Sequence, residues 1–278
     1  MAAAGRMAAV LCLALLAGCV QPAPPVFAEA VADDPPARVL DWHEAGCRSV
    51  TWSVPITGAA LEPYLPAGFE PSPAEPSPGG PGAFGRSVGA SALGFRAVEC
   101  DYGFGDEKLL GSVQSGMLFA SVLPPPDLRE ERFTAHYSYG WDLLVTSEGW
   151  RADARTWDLP LHDGGATVHP SAQGWTGSLA IDQVGSFSLS GRPVDSDRAV
   201  EDVETRTITL GSQGFALWDS EAINRTVSTG IGTWTVSPES WVAAVIGTTQ
   251  GIATFEYSLY DLPSALVHWP GQALDPVE

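Results

Sequence analysis

Residues able to do chemistry are few and scattered along this chain. His136, Tyr137, Tyr139 and Trp141 form the tightest group. In a strand, the period-2 spacing of the last three puts their rings on one face, where they would line a pocket or fill a core. Glu99 and Asp101 bracket Cys100 and, in a strand, share the face opposite it. On a cavity wall such a pair of carboxylates would do acid–base work, whereas facing solvent it would do none. His162, Asp163 and His169 flank a Gly-rich turn with a spacing that fits no established metal motif. There is no HExxH, no P-loop and no GxSxG elbow. The residues imply neither a cofactor nor a metal.

Charge narrows the partners. Lys and Arg total 14 against 33 Asp and Glu, a formal net charge of −19. Strong acidity without a basic stripe argues against nucleic acid and against electrostatic docking to anionic lipid. The single lysine, Lys108, sits in "DYGFGDEKLL" beside Asp106 and Glu107. Those carboxylates favour the charged ammonium, the opposite of what imine formation needs.

The elements that must position these residues read as strands. "CRSVTWSVPI" (47–56), "ASALGFRAVEC" (90–100), "SGMLFASVL" (115–123) and "YSYGWDLLVT" (137–146) are rich in β-formers. "TRTITL" (205–210), "GTWTVS" (232–237) and "GIATFEYSLY" (251–260) continue the pattern between Gly, Pro, Asp and Ser turns. Helical periodicity is confined to short candidates at 58–65 and 195–204. "PSPAEPSPGGPG" (71–82) reads as a low-complexity loop. The expectation is one all-β or β-rich α+β domain over 39–278, a closed or partly open barrel, with a β-sandwich as the alternative. The 10 tryptophans would fill its core or line a cavity.

The N-terminus suggests a destination. An apolar run over 7–17 follows Arg6 and is too short for a membrane-spanning helix. It ends in Leu16-Ala17-Gly18-Cys19, which resembles the lipobox of bacterial lipoprotein signals. That resemblance implies a signal peptide over 1–18, acylation (palmitate or similar) of Cys19, and a Pro/Ala-rich tether over 19–38. The membrane would then be reached through an N-terminal lipid, with the protein in the cell envelope facing away from the cytoplasm. Val20, in place of Asp, favours the outer membrane if the host has two. An ordinary signal cut near Ala28 or Ala30 is the alternative. Cys47 and Cys100 remain in the mature chain and are expected to pair.

"VPITGAALEPYLPAGFEP" (54–71) resembles the early part of the acetoacetate decarboxylase-like superfamily, in which a strand leads into a Leu-Pro-x-Gly-Phe turn. Here Leu65-Pro66-Ala67-Gly68-Phe69 carries that turn, with Leu65 and Phe69 expected to cover a barrel end. The resemblance covers about 40–170 and implies that family's β-barrel. Its Schiff-base lysine lies in a Gly-Arg-Glu…Pro-Lys-Lys stretch, but "LREERFTAHYSYG" (128–140) keeps only Arg129-Glu130.

Three functional expectations follow. The first is a lipid-anchored binder of a small, mostly apolar ligand in an aromatic-lined cavity, without Schiff-base decarboxylase activity. His136, Tyr137, Tyr139, Trp141, Glu99 and Arg129 are its candidate contacts. The second is a lysine-independent acid–base enzyme, a lyase or hydrolase, using the same cavity. The third is a surface scaffold or adhesion module.

Overall fold

The structure, a computed structural model, describes residues 40–72, 90–105, 108–133, 137–156, 158–171, 174–195, 198–200, 202–211, 214–268 and 270. The expected signal peptide, the expected tether with Cys19, most of the 71–82 segment and His136 lie outside the described residues.

The first strands are β1 (Leu40–Thr57), β2 (Glu70–Pro71), β3 (Ala90–Gly105), β4 (Lys108–Leu123) and β5 (Tyr137–Val145). Then come β6 (Leu161–His162), β7 (Gly164–Ser171), β8 (Gly174–Ile181), β9 (Gly185–Pro193) and β10 (Arg198–Ala199). The last are β11 (Val203–Gly211), β12 (Gly214–Val236) and β13 (Gln250–His268). Three short helices join them: α1 (Gly58–Leu61), α2 (Glu148–Thr156) and α3 (Trp241–Ile246).

Neighbours run β11-β5-β4-β3-β1-β13-β12, and β12 pairs back onto β11 to close the ring. The chain is therefore β-rich with a closed barrel, and closure removes the open edges that a flat sheet would expose. Beyond its β11 partner, β12 leaves the ring. Its far half pairs with β9 and extends the sheet through β8 to β7. That extension lies against the outer wall of β1, β3 and β4. A Cβ at Gly116 on β4 would stand 2.3 Å from Leu179 Cδ1 on β8, so this approach requires glycine.

Period-2 alternation divides each barrel strand between two environments. Val50, Trp52, Phe95, Ala97, Leu118 and Ala120 point outward into the main core beneath β7–β9. Their neighbours Ser49, Thr51, Arg96, Met117, Phe119 and Ser121 point into the lumen. One end of the barrel is packed by α2, whose Trp150 stacks on Trp42 with centroids 4.3 Å apart.

The segment 58–65 turns helical as expected, as α1 followed by a 3-10 turn over Glu62–Tyr64; Thr57 Oγ1 caps it by accepting from Ala60 N at 3.2 Å. Pro66 and Gly68 (φ 86°) then make the turn. Leu65 and Phe69 are buried in the main core, where the Phe69 ring meets Tyr139 with centroids 5.4 Å apart. Among its described residues, the segment 195–204 is not helical. Arg198–Ala199 pairs with Val227 and Thr226 of β12, and Val203 already belongs to β11. The exposed edge of β12 captures it, and tertiary pairing overrides local propensity. The expected disulfide forms between Cys47 and Cys100, which face each other across β1 and β3 with Cα atoms 4.0 Å apart.

Candidate functional site

Two adjacent cavities occupy the lumen and share Arg96, Met117, Thr205, Thr207, Ser220 and Tyr260 as walls. One, about 110 Å³, has Trp42, Trp150 and Trp218 in its wall. The other, about 220 Å³, is lined mainly by hydroxyls such as Ser49, Thr51 and Ser258. Arg96 stands at their junction.

Arg96 reaches the lumen because β3 alternates strictly: Phe95 and Ala97 face the outer core, so Arg96 faces inward. Its Nη2 donates to Tyr260 Oη at 2.7 Å. Its Nε is buried without a hydrogen-bond partner. Burial opposes the guanidinium charge, but Tyr260, Glu44 and Glu256 outweigh it and hold the pKa of Arg96 above its ordinary value.

Glu44 arrives by a different route. Gly46, at φ 63°, lies in a register irregularity between Glu44 and Cys47. This bulge reverses the phase of β1, so Trp42 and Glu44 share the lumen side with Ser49 and Thr51. Glu44 is 6 % exposed, and its Oε1 has no partner. Burial pushes its carboxyl up to about 7, partly offset by Arg96. Burial also raises the Tyr260 phenol, keeping it protonated beside Arg96.

The residues singled out from sequence are distributed elsewhere. Tyr137, Tyr139 and Trp141 do share a face, but it is the outer one, inside the main core. Trp141 Nε1 donates to Tyr64 O at 2.5 Å, and Tyr137 Oη donates to Glu130 O at 2.8 Å. Tyr137 alone of the three also borders the hydroxyl-lined cavity. Glu99 lies on the face away from the lumen, where Arg48 Nε stands 3.4 Å from it, and Asp101 shares that arginine. Arg129 is exposed and donates from Nε to Pro124 O at 2.5 Å. Lys108 begins β4, paired with Gly105 of β3. His162 pairs with Asp142 at 2.8 Å. Among the described residues the sole cluster of metal-type ligands is Glu44, Cys47 and Cys100, and its sulfurs are joined in the disulfide.

Sequence reasoning missed Glu44, Arg96 and Tyr260. A signal for Arg96 exists in "GFRAVEC": a lone cation in the polar phase of a strand whose other phase is apolar. It has the same pattern as a solvent-facing arginine until the barrel closes.

The fold and the site define a β-barrel protein with a lumen of small-molecule size. No protein-family model matches the sequence, and no curated protein sequence does. Solved structures with a similar course include an acetoacetate decarboxylase from Legionella pneumophila, at TM-score 0.49 and 13% identity over 92% of this chain and 95% of that one. They also include the enduracididine biosynthesis enzyme MppR, at 0.45 and 14% over 96% and 94%. An acetoacetate decarboxylase-like enzyme from Sphingomonas wittichii RW1 stands at 0.45 and 12% over 84% and 93%. The first and third of these carry the name of the family that the Leu65–Phe69 segment resembles.

Proposed function

We propose that this protein is a lipid-anchored, envelope-exposed binder of a small organic anion with a largely apolar body, held in the barrel lumen without Schiff-base chemistry. One observation carries the binding reading: the Arg96 guanidinium stands between the two cavities with its Nε unpaired. A buried donor without a partner is costly, and a ligand oxygen would satisfy it. The tryptophans suit an apolar body. The lipid reading is supported by Leu16-Ala17-Gly18-Cys19, and the absence of Schiff-base chemistry by Asp106 and Glu107 beside the single lysine, which favour its charged form.

The test is native mass measurement of the full chain, purified from its host in mild detergent, before and after denaturation. The expected result is a discrete excess mass that is lost on denaturation and absent from Arg96→Gln. A bare mass in every preparation overturns the reading. Cys19→Ala is expected to move the protein from the membrane fraction to the soluble one.

A second reading is an acid–base enzyme in the same lumen. It is supported by the convergence of Glu44, Arg96 and Tyr260 on one cavity. Excess mass in a stoichiometry that decays with time, giving a chemically altered molecule, favours it over simple binding.

A further inference from the structure

Five residues in the wall of the smaller cavity each carry a buried polar atom with no hydrogen-bond partner among the described residues. They are Trp42, Trp150 and Trp218 through Nε1, Arg96 through Nε and Glu44 through Oε1. Native interiors leave few such groups, and a cluster of them around one cavity calls for a missing partner. Four of the five are donors. The fifth becomes a donor when Glu44 is protonated. In that state every orphaned group in the wall offers hydrogen, which suits a ligand group that only accepts.

We propose that the lumen is a proton-coupled carboxylate site, in which a ligand carboxylate is held by Arg96 while Glu44 carries a proton, and loss of that proton releases it. The inference rests on the lumen-binding reading above and adds its regulation. The step is an acid–base equilibrium: Glu44 takes one proton from solvent as the anion enters, and returns it as the anion leaves. The geometry gives the reason. Glu44 and Arg96 line the same cavity, and Arg96 is the cation that acts on Glu44. An ionised Glu44 competes for the guanidinium and repels a second carboxylate; a neutral one does neither. The charged or titratable groups facing Glu44 from the strands around it are Arg96 on β3 and Tyr260 on β13, and the neighbouring Cys47–Cys100 bridge does not titrate. Burial already places the Glu44 carboxyl at about 7, so the transition falls where a modest change of pH crosses it.

The probes are butyrate and its neutral isostere butyramide, added to the full chain well into the millimolar range. Glu44 is followed by carboxyl-carbon NMR, with Glu44→Gln supplying the assignment. Butyrate is expected to move the Glu44 titration upward, while butyramide leaves it in place. Butyrate affinity is expected to fall roughly tenfold per pH unit above about pH 7, as one linked proton requires. In Glu44→Gln that fall disappears and affinity stays at the wild-type acid-side value. Arg96→Gln abolishes the butyrate effect. A Glu44 titration unmoved by butyrate, or a butyrate affinity independent of pH in the wild type, overturns the proposal, and the second result depends on no variant folding. A neutral molecule found bound by native mass, together with an unmoved titration, overturns this proposal while leaving the lumen-binding reading intact.

Discussion

Two arginines are fixed within this barrel, on opposite sides of its wall. Arg206 on β11 points outward, and each of its nitrogens is hydrogen-bonded. It grips Asp219 with Nε and Nη2, both at 2.6 Å, reaches Glu130 at 2.6 Å and Leu128 O at 3.3 Å, and lies over the Phe133 ring. His268 completes the far side of Asp219 at 2.9 Å. Burial opposes ionisation of Asp219, yet hydrogen bonds from Arg206 and His268 hold its pKa below the ordinary carboxylate value. Arg96 points inward, has one hydrogen-bonded partner in Tyr260, and leaves its Nε unmatched in the wall of a cavity. The first arginine is finished by the fold; the second is left incomplete by it. A saturated buried charge fixes local packing, whereas an unsaturated one beside a cavity points to something that binds there.

The contrast breaks most visibly at Arg206. Arg206→Ala removes one member of a buried ion pair and leaves Asp219 without its bidentate partner, which costs about 3–5 kcal/mol of stability. Urea unfolding midpoints give the value. Replacing both members, Arg206→Met with Asp219→Leu, is expected to recover most of the loss, because an apolar pair of similar bulk needs no charge compensation. A single substitution with no measurable effect would show that the network is ornamental.

The same two residues show what the sequence could and could not disclose. The strands were legible because their alternation is local: "CRSVTWSVPI" and "TRTITL" carry the pattern within themselves. The Leu65–Phe69 turn was legible because Pro66 and Gly68 act on their own neighbours. The shared face of Tyr137, Tyr139 and Trp141 was also legible. Which side of the wall that face addresses was not, because that is set when β5 joins β4 and β11. Glu44 was hidden for a further reason. The bulge at Gly46 shifts the phase of β1, so a period counted back from Ser49 puts Glu44 outside the lumen. Trp42, Trp150 and Trp218 meet at one end of the barrel from three distant segments, and no local pattern joins them. Among the described side chains of the helix carrying Trp150, the buried anchors are Trp150 and Ala154, too few to announce a helix.

Glu44 supplies the next prediction, and its sign follows from its carboxyl sitting at about 7 in the fold against 4.5 as its ordinary value. The folded state holds the proton more tightly than the unfolded chain. The stability this contributes is fully present below about pH 4.5 and is lost as pH rises through about 7. The accumulated loss is on the order of 3 kcal/mol by linkage. Glu44→Gln cannot ionise, so the difference in unfolding free energy between variant and wild type should grow across that window and level off above it. A difference that stays flat with pH removes Glu44 as a buried titrating group.

Arg96→Met gives the smallest effect on stability and the sharpest reading of the comparison. On the acid side of the Glu44 transition it removes one charge-assisted hydrogen bond, to Tyr260, worth about 1.5 kcal/mol. It also takes a partly orphaned guanidinium out of the interior, which offsets part of that loss. On the alkaline side the variant leaves an ionised Glu44 with no cation beside it, so the destabilisation should widen as pH rises. The Glu44 titration should move further upward, since Arg96 is the one group that lowers it. Arg206→Ala touches a carboxyl that Arg206 and His268 hold below the ordinary range, not Glu44, so it should show no widening that follows the Glu44 transition. Two arginines on one barrel would then separate by pH profile alone. If their profiles coincide, Arg96 is structural in the same sense as Arg206, and its unmatched Nε no longer marks a site.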